Sequence, residues 1–209
     1  MTKSSLALAS LPAETRAALT HLGQRLQLAR KRRDLSLREL SGMARMCART
    51  NAKIERGEPG VSMSSVIAVM LSMGMGLDIE ELVRTEEHGA TADEERRSLE
   101  ILLSGRQFAE QPAILLQRLG ARIQAKRKTR KLSVSHMANS MYATPVTVRQ
   151  MEKGSPSVSL GIVAATLACL RHSDDIQKLA IPEKDRIGIS LDSLKQSQRK
   201  HVHQPRMLR

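Results

Sequence analysis

The chain repeats itself. Residues 119–167 align with residues 22–70 at a constant offset of 97, without a gap over 49 positions and with 17 identities. The shared residues include Leu22/Leu119, Gly23/Gly120, Arg25/Arg122, Arg30/Arg127, Ser36/Ser133, Glu55/Glu152, Gly57/Gly154, Pro59/Pro156 and Ser62/Ser159. Two copies are too few for a stacked solenoid, which needs three or more units to bury a continuous face. They predict two small domains that do one job twice. A chain of 209 residues has room for two units of about 70 residues with a linker and tails.

The apolar spacing within the repeat is helical, and no stretch alternates long enough to predict a strand. In copy one a first helix is expected over residues 17–33, with Leu19, Leu22, Leu26 and Ala29 on one face. Ser36 with Glu39 three residues later forms a capping box that opens a short second helix, residues 37–43. A third helix, residues 47–56, is closed by Gly57 at the left-handed C-cap position and blocked by Pro59. Ser62 caps a fourth helix to about residue 73, and Asp78 opens a fifth over residues 79–84. Copy two repeats the punctuation with different residues. Its first helix is expected from about Ala113, Ser133 caps helix two, Thr144-Pro145 opens helix three, Gly154 and Pro156 end it, and Ser159 opens helix four. Thr91 and Glu94 make another capping box, which predicts a connecting helix over residues 92–104.

Composition narrows the function. Phe108 and Tyr142 are the only aromatic residues, so the cores must be aliphatic, with some of the 11 methionines as flexible filler. The same shortage argues against single-stranded nucleic acid, whose bases stack on aromatic platforms. The formal charge is +13 and uneven: residues 1–104 hold 15 Lys/Arg against 14 Asp/Glu, and residues 105–209 hold 19 against 7. Such a surplus favours a polyanionic partner. No apolar run has the length of a membrane span, and the N-terminus lacks the long apolar stretch of a secretory signal, so a cytoplasmic protein without a membrane partner is expected. Cys47 and Cys169 make neither a disulfide framework nor a zinc set, and Cys47 reads as a small residue at a helix cap. His201 and His203 lack partners at ligand spacing. With no phosphate loop, nucleophile–base set or paired carboxylates, neither an enzyme nor a cofactor or metal is expected.

A short helix, a tight connection and a second short helix inside a five-helix unit is the helix-turn-helix arrangement. The run Leu35-Ser36-Leu37-Arg38-Glu39-Leu40, then Ala44, then Ile54-Glu55-Arg56-Gly57, resembles the Xre/Cro-repressor family of helix-turn-helix regulators. Copy two matches through Leu132-Ser133-Val134, Met137 and Met151-Glu152-Lys153-Gly154. The matches cover about two thirds of the chain and imply an all-α fold: two tandem lambda-repressor-like domains joined by a helical linker. The expected division is an N-terminal arm (1–16), domain one (17–85), an acidic linker (86–112), domain two (113–183) and a basic tail (184–209). The family usually has glycine in the turn, where Arg45 and Tyr142 stand here, and an apolar residue where Asn51 stands; Val148 fills that place in copy two.

By resemblance the third helix of each copy enters the major groove of duplex DNA with its N-terminal residues at base edges. The implied readers are Ala48, Arg49, Ala52 and Lys53 in copy one, and Pro145, Val146, Arg149 and Gln150 in copy two. Arginine pairs with guanine, glutamine with adenine and small apolar groups with the thymine methyl, so two non-identical half-sites are expected. Ser36, Thr50, Arg56, Ser133, Thr147 and Lys153 are the implied phosphate contacts that set register. Arg30 with Glu55 and Arg127 with Glu152 are implied structural ion pairs between helix one and the end of helix three.

The segment from Asp174-Asp175-Ile176 through Pro182, Gly188 and Gln198-Arg199-Lys200 resembles the C-terminal extension of Xre-type regulators found with Hip-type kinase toxins. The expectation is therefore a double-stranded DNA-binding regulator, a repressor or autoregulator, in which two domains act as a covalent pseudo-dimer. An antitoxin that also binds a toxin or another regulator stays open, as do a homodimer and a mobile-element accessory factor.

Overall fold

The computed structural model describes residues 7–75, 78–79, 82–83 and 111–202, and every named element among them is helical. Copy one holds α1 (Ala13–Arg32), α2 (Leu37–Met43), α3 (Ala48–Glu55) and α4 (Met63–Ser72). Copy two holds α5 (Gln111–Thr129), α6 (Val134–Ser140), α7 (Pro145–Glu152), α8 (Leu160–Cys169) and a 3-10 segment, Ser173–Lys178. A last helix, α9 (Arg186–Val202), follows. The expected connecting helix at residues 92–104 with its Thr91–Glu94 box, and the terminal residues His203, Arg206 and Arg209, lie outside the described residues.

The caps form where the residue types demand them. Ser36 Oγ accepts the Glu39 amide at 3.1 Å and Glu39 Oε2 accepts the Ser36 amide at 2.7 Å, a complete capping box. Ser133 accepts the His136 amide at 3.0 Å with no acid to reciprocate. Thr144 accepts the Thr147 amide at 3.1 Å ahead of Pro145 at the start of α7. Both first helices begin earlier than the apolar pattern suggests. Residue 13 opens α1 because Pro12 supplies the extended N-cap, and α5 starts at Gln111 with Pro112 tolerated in its first turn. Within the expected N-terminal arm, Ala7 and Leu11 are buried in the core.

The two copies share one continuous hydrophobic core. Helix α4 packs on α5, while α1 packs on α8 and the 3-10 segment, so each first helix leans on the other copy. Ser62 and Ser159, themselves the N-caps of α4 and α8, pair in an isolated antiparallel β-bridge. Around it the Met63 amide donates to the Val158 carbonyl (2.8 Å) and the Leu160 amide to the Val61 carbonyl (2.7 Å). Arg25 Nη2 donates to the Ile176 carbonyl (3.1 Å) and Arg122 Nη2 to the Ile79 carbonyl (3.3 Å). The Val83 amide donates to Asp175 Oδ2 and the Ala180 amide to Asp78 Oδ2, both at 2.9 Å. In each of these three pairs of bonds, adding or subtracting 97 turns one bond into the other. Such reciprocity is the signature of an isologous two-fold interface, here within a single chain.

The backbone obeys the same relation. Among the described residues the left-handed positions are Asp34, Arg45, Gly57, Gly74 and Val83, and 97 positions on, Lys131, Tyr142, Gly154, Arg171 and Ala180.

The described part of the basic C-terminal segment is held to the first copy by ion pairs. Asp185 receives both Arg33 Nη1 (2.8 Å, to Oδ2) and Arg33 Nη2 (2.7 Å, to Oδ1), and its Oδ1 accepts the Gly188 amide at 3.0 Å. Further along α9, Asp192 pairs with Arg32 at 3.0 Å and Lys195 with Asp34 at 2.6 Å. These contacts dock α9 on the end of α1, a non-local arrangement that charge composition alone does not reveal.

Candidate nucleic-acid interface

Each third helix has an inner and an outer face. In α3, Asn51, Ile54 and Glu55 are buried, Ala48, Arg49 and Arg56 are exposed, and Thr50, Ala52 and Lys53 are half-buried. In α7, Val148, Met151 and Glu152 are buried, Val146, Arg149, Gln150 and Lys153 are exposed, and Pro145 and Thr147 are half-buried. Ser36 and Ser133, which cap α2 and α6, are exposed as well. None of the sequence-derived contact residues is taken up by the core.

What holds the two outer faces is the same in both copies. Arg30 Nε and Nη2 donate to Glu55 Oε1 and Oε2 at 2.6 and 3.0 Å, and Gln27 Nε2 adds a bond to Oε2 at 3.2 Å. Arg30 Nη1 donates to the Leu35 carbonyl at 2.7 Å, which ties the α1–α2 connection to the same guanidinium. Arg127, Glu152, Gln124 and Leu132 repeat every bond, with Arg127 Nη2 3.1 Å from Glu152 Oε2. The bond to Glu55 outweighs burial and raises the Arg30 pKa above its ordinary value. Gly23 and Gly120 let α1 and α5 approach this point: a Cβ there would fall 2.5 Å from the Glu55 carbonyl oxygen and 2.6 Å from that of Glu152.

Both turns leading into the third helices use a left-handed residue, Arg45 at φ 52° and Tyr142 at φ 53°. Glycine is usual there because it has no Cβ penalty. Asn51 is fully buried, and its Nδ2 donates to Ser41 Oγ at 3.2 Å across α2 and α3. In copy two the equivalent pair is Ala138 and Val148, both fully buried. The departure at Asn51 is thus matched by a polar partner at residue 41. Cys47, the N-cap of α3, makes no capping bond to the helix; its exposed thiol lies 3.1 Å from Thr50 Oγ1, whose hydrogen bond draws the thiol pKa below the ordinary range.

The outer faces differ in charge. Arg56 Nε and Nη2 approach Glu58 Oε1 at 3.0 and 2.7 Å, and Lys53 Nζ lies 3.8 Å from Glu58 Oε2. Copy two carries Ser155 at the corresponding position, beside Lys153. Across the aligned units the balance is nearly even, with 10 Lys/Arg against 4 Asp/Glu in residues 22–70 and 8 against 1 in residues 119–167. The imbalance between chain halves arises mainly in residues 71–118, which hold 5 against 10.

Sequence reasoning missed the residues that join the copies. The 97-residue offset continues past Ala68/Ala165 to Asp78/Asp175, Ile79/Ile176 and Leu82/Leu179, all identical pairs. That persistence beyond the unit's apparent end was the available signal. Among the described residues no helix is long and apolar enough to cross a membrane, and no group of three or more His, Cys, Asp or Glu side chains could hold a metal ion. No protein-family model, curated protein or solved structure matches the chain.

Proposed function

We propose that this chain is a sequence-specific double-stranded DNA-binding transcriptional regulator, in which two tandem helix-turn-helix domains of the lambda-repressor type act as a covalent pseudo-dimer. The reading that carries this is the approximate two-fold relation between the exposed faces of α3 and α7, set by reciprocal bonds around Ser62 and Ser159. Duplex DNA has its own local two-fold axes, and dimeric helix-turn-helix proteins match them by placing recognition helices one helical turn apart, about 34–36 Å. A single chain built this way needs no second chain to reach two half-sites. Arg49, Lys53, Arg149 and Gln150 then read base edges, and Ser36, Arg56, Ser133 and Lys153 fix register on phosphates. Because the outer residues differ between copies, the preferred site is an imperfect inverted repeat. Selection of binding sites from random duplexes tests this; two unlike half-sites support it, and no enrichment refutes it.

A second reading, a regulator that also binds a partner protein, is favoured by one observation. Helix α9 leaves Ile187, Ile189 and Leu194 between 42 and 60% exposed. Stoichiometric co-purification of a partner that is lost on truncating α9 supports it; a chain that always purifies alone counts against it.

A further inference from the structure

We propose that Glu58 is a built-in attenuator of the copy-one DNA contact, and that Ser155 leaves copy two without one. The inference rests on the DNA-binding reading above and specifies how that site is balanced. Arg56 is the C-cap of α3 and Lys53 stands in its last turn. Both cations converge on one carboxylate, Arg56 through Nε and Nη2 at 3.0 and 2.7 Å and Lys53 at 3.8 Å. All three side chains are partly exposed, at 58, 42 and 38% for Arg56, Lys53 and Glu58. In free solution such a pair contributes little to stability. Its consequence lies elsewhere: a phosphate approaching Arg56 must displace or sit beside a fixed negative charge. At copy two Lys153 replaces Arg56, Gln150 replaces Lys53 and Ser155 replaces Glu58, so the cation there has no carboxylate two residues on. The scaffold is indifferent to the exchange, because the Gly57 and Gly154 turns before these residues have the same left-handed φ of 70°.

One phosphate contact adds ~0.9 to the log–log salt slope, worth about eightfold in affinity between 1 M and 0.1 M salt. The test measures full-chain binding to a selected duplex across a salt series, for the native chain, Glu58→Ser and Ser155→Glu. Glu58→Ser is expected to steepen the slope by up to about 0.9 and tighten binding up to about eightfold at 0.1 M salt. Ser155→Glu is expected to flatten the slope and weaken binding by similar factors. Binding by the native chain with no change of slope in Glu58→Ser overturns the attenuator alone. Absence of any duplex binding by the native chain sinks the DNA reading, and this inference with it. A salt slope is a readout that a purely structural role for Glu58 would not move.

Discussion

Ser62 and Ser159 face each other in an antiparallel bridge, and each also caps the helix that follows it. The two residues are the same position of the repeat, so the bridge lies on the axis that exchanges the copies. Fixing this point fixes the relation of the third helices, because α4 and α8 start there and pack on the helices that carry the Arg–Glu networks. Gly161, beside Ser159, lets the Pro59 carbonyl come close enough to accept its amide at 2.8 Å. A Cβ there would lie 2.8 Å from Pro59 Cβ.

The Arg–Glu pairs should be the largest single-residue liabilities. Glu55 and Glu152 side chains are 4% exposed and their arginine partners 10%. Removing one member of a buried pair costs about 3–5 kcal/mol, since the other charge is left unpaired. Glu152→Ala should therefore unfold at markedly lower denaturant, and Glu55→Ala likewise. Chemical denaturation checks this; a loss below about 1 kcal/mol would show the guanidinium finding another partner.

The left-handed positions split into two kinds with opposite expected signs. Arg45→Gly and Tyr142→Gly relieve a Cβ penalty of roughly 1–2 kcal/mol against a smaller entropy cost, so each should stabilise slightly. Gly154→Ala should destabilise by more than about 2 kcal/mol, because φ is 70° and the new Cβ would meet Gln117 Cα at 2.5 Å. Thermal melts of the three variants decide whether the turn conformation or the side chain governs these sites.

Docking of α9 should be acid-labile. Burial pushes the Asp185 carboxyl up, but the Arg33 guanidinium and the Gly188 amide outweigh it and hold its pKa below the ordinary value. A carboxyl lowered on folding contributes stability that is fully present above its unfolded pKa, about 3.9, and is lost as pH falls through the lower folded value. The contribution is thus constant at neutral pH and falls away below about pH 4. Asp185→Asn should release α9 at every pH, detected as cleavage after Lys195 or Arg186 by trypsin; resistance equal to the native chain would contradict the docking role.

Much of the local architecture is legible in sequence because caps and breakers act over three or four residues. Ser36 with Glu39, Thr144 with Pro145, and the two closing glycines mark helix ends by chemistry that needs no tertiary context. The rest depends on contacts far apart in the chain. Nothing near Asp185 shows that its carboxylate meets Arg33, 152 residues away. Asn51 looks like a misfit until residue 41 is read as its partner. The charge surplus of the second half suggests a dominant copy two, yet the aligned units are almost balanced, and the exchanges at the candidate interface include Lys53 for Gln150 as well as Glu58 for Ser155. The outer residues of α3 and α7 are legible as exposed positions by helical period, whereas their two-fold relation becomes visible only through bonds such as Arg25 to Ile176.

The two reading heads should lose affinity unequally. Arg149→Ala/Lys153→Ala is expected to lower the salt slope by about 0.9 through the lost Lys153 phosphate contact, and to relax the preference at the base that Arg149 reads. Arg49→Ala/Arg56→Ala should lower it less, since Arg56 is already engaged by Glu58. Equal losses in parallel salt titrations would contradict the asymmetry.

On the proposed function, a single chain supplies both heads. Hydroxyl-radical footprinting on a selected duplex, combined with the mass of the complex by analytical ultracentrifugation, measures it directly. One chain per duplex is expected, protecting two half-sites centred about 10–10.5 base pairs apart. One protected half-site per chain, or two chains needed for two half-sites, would contradict it.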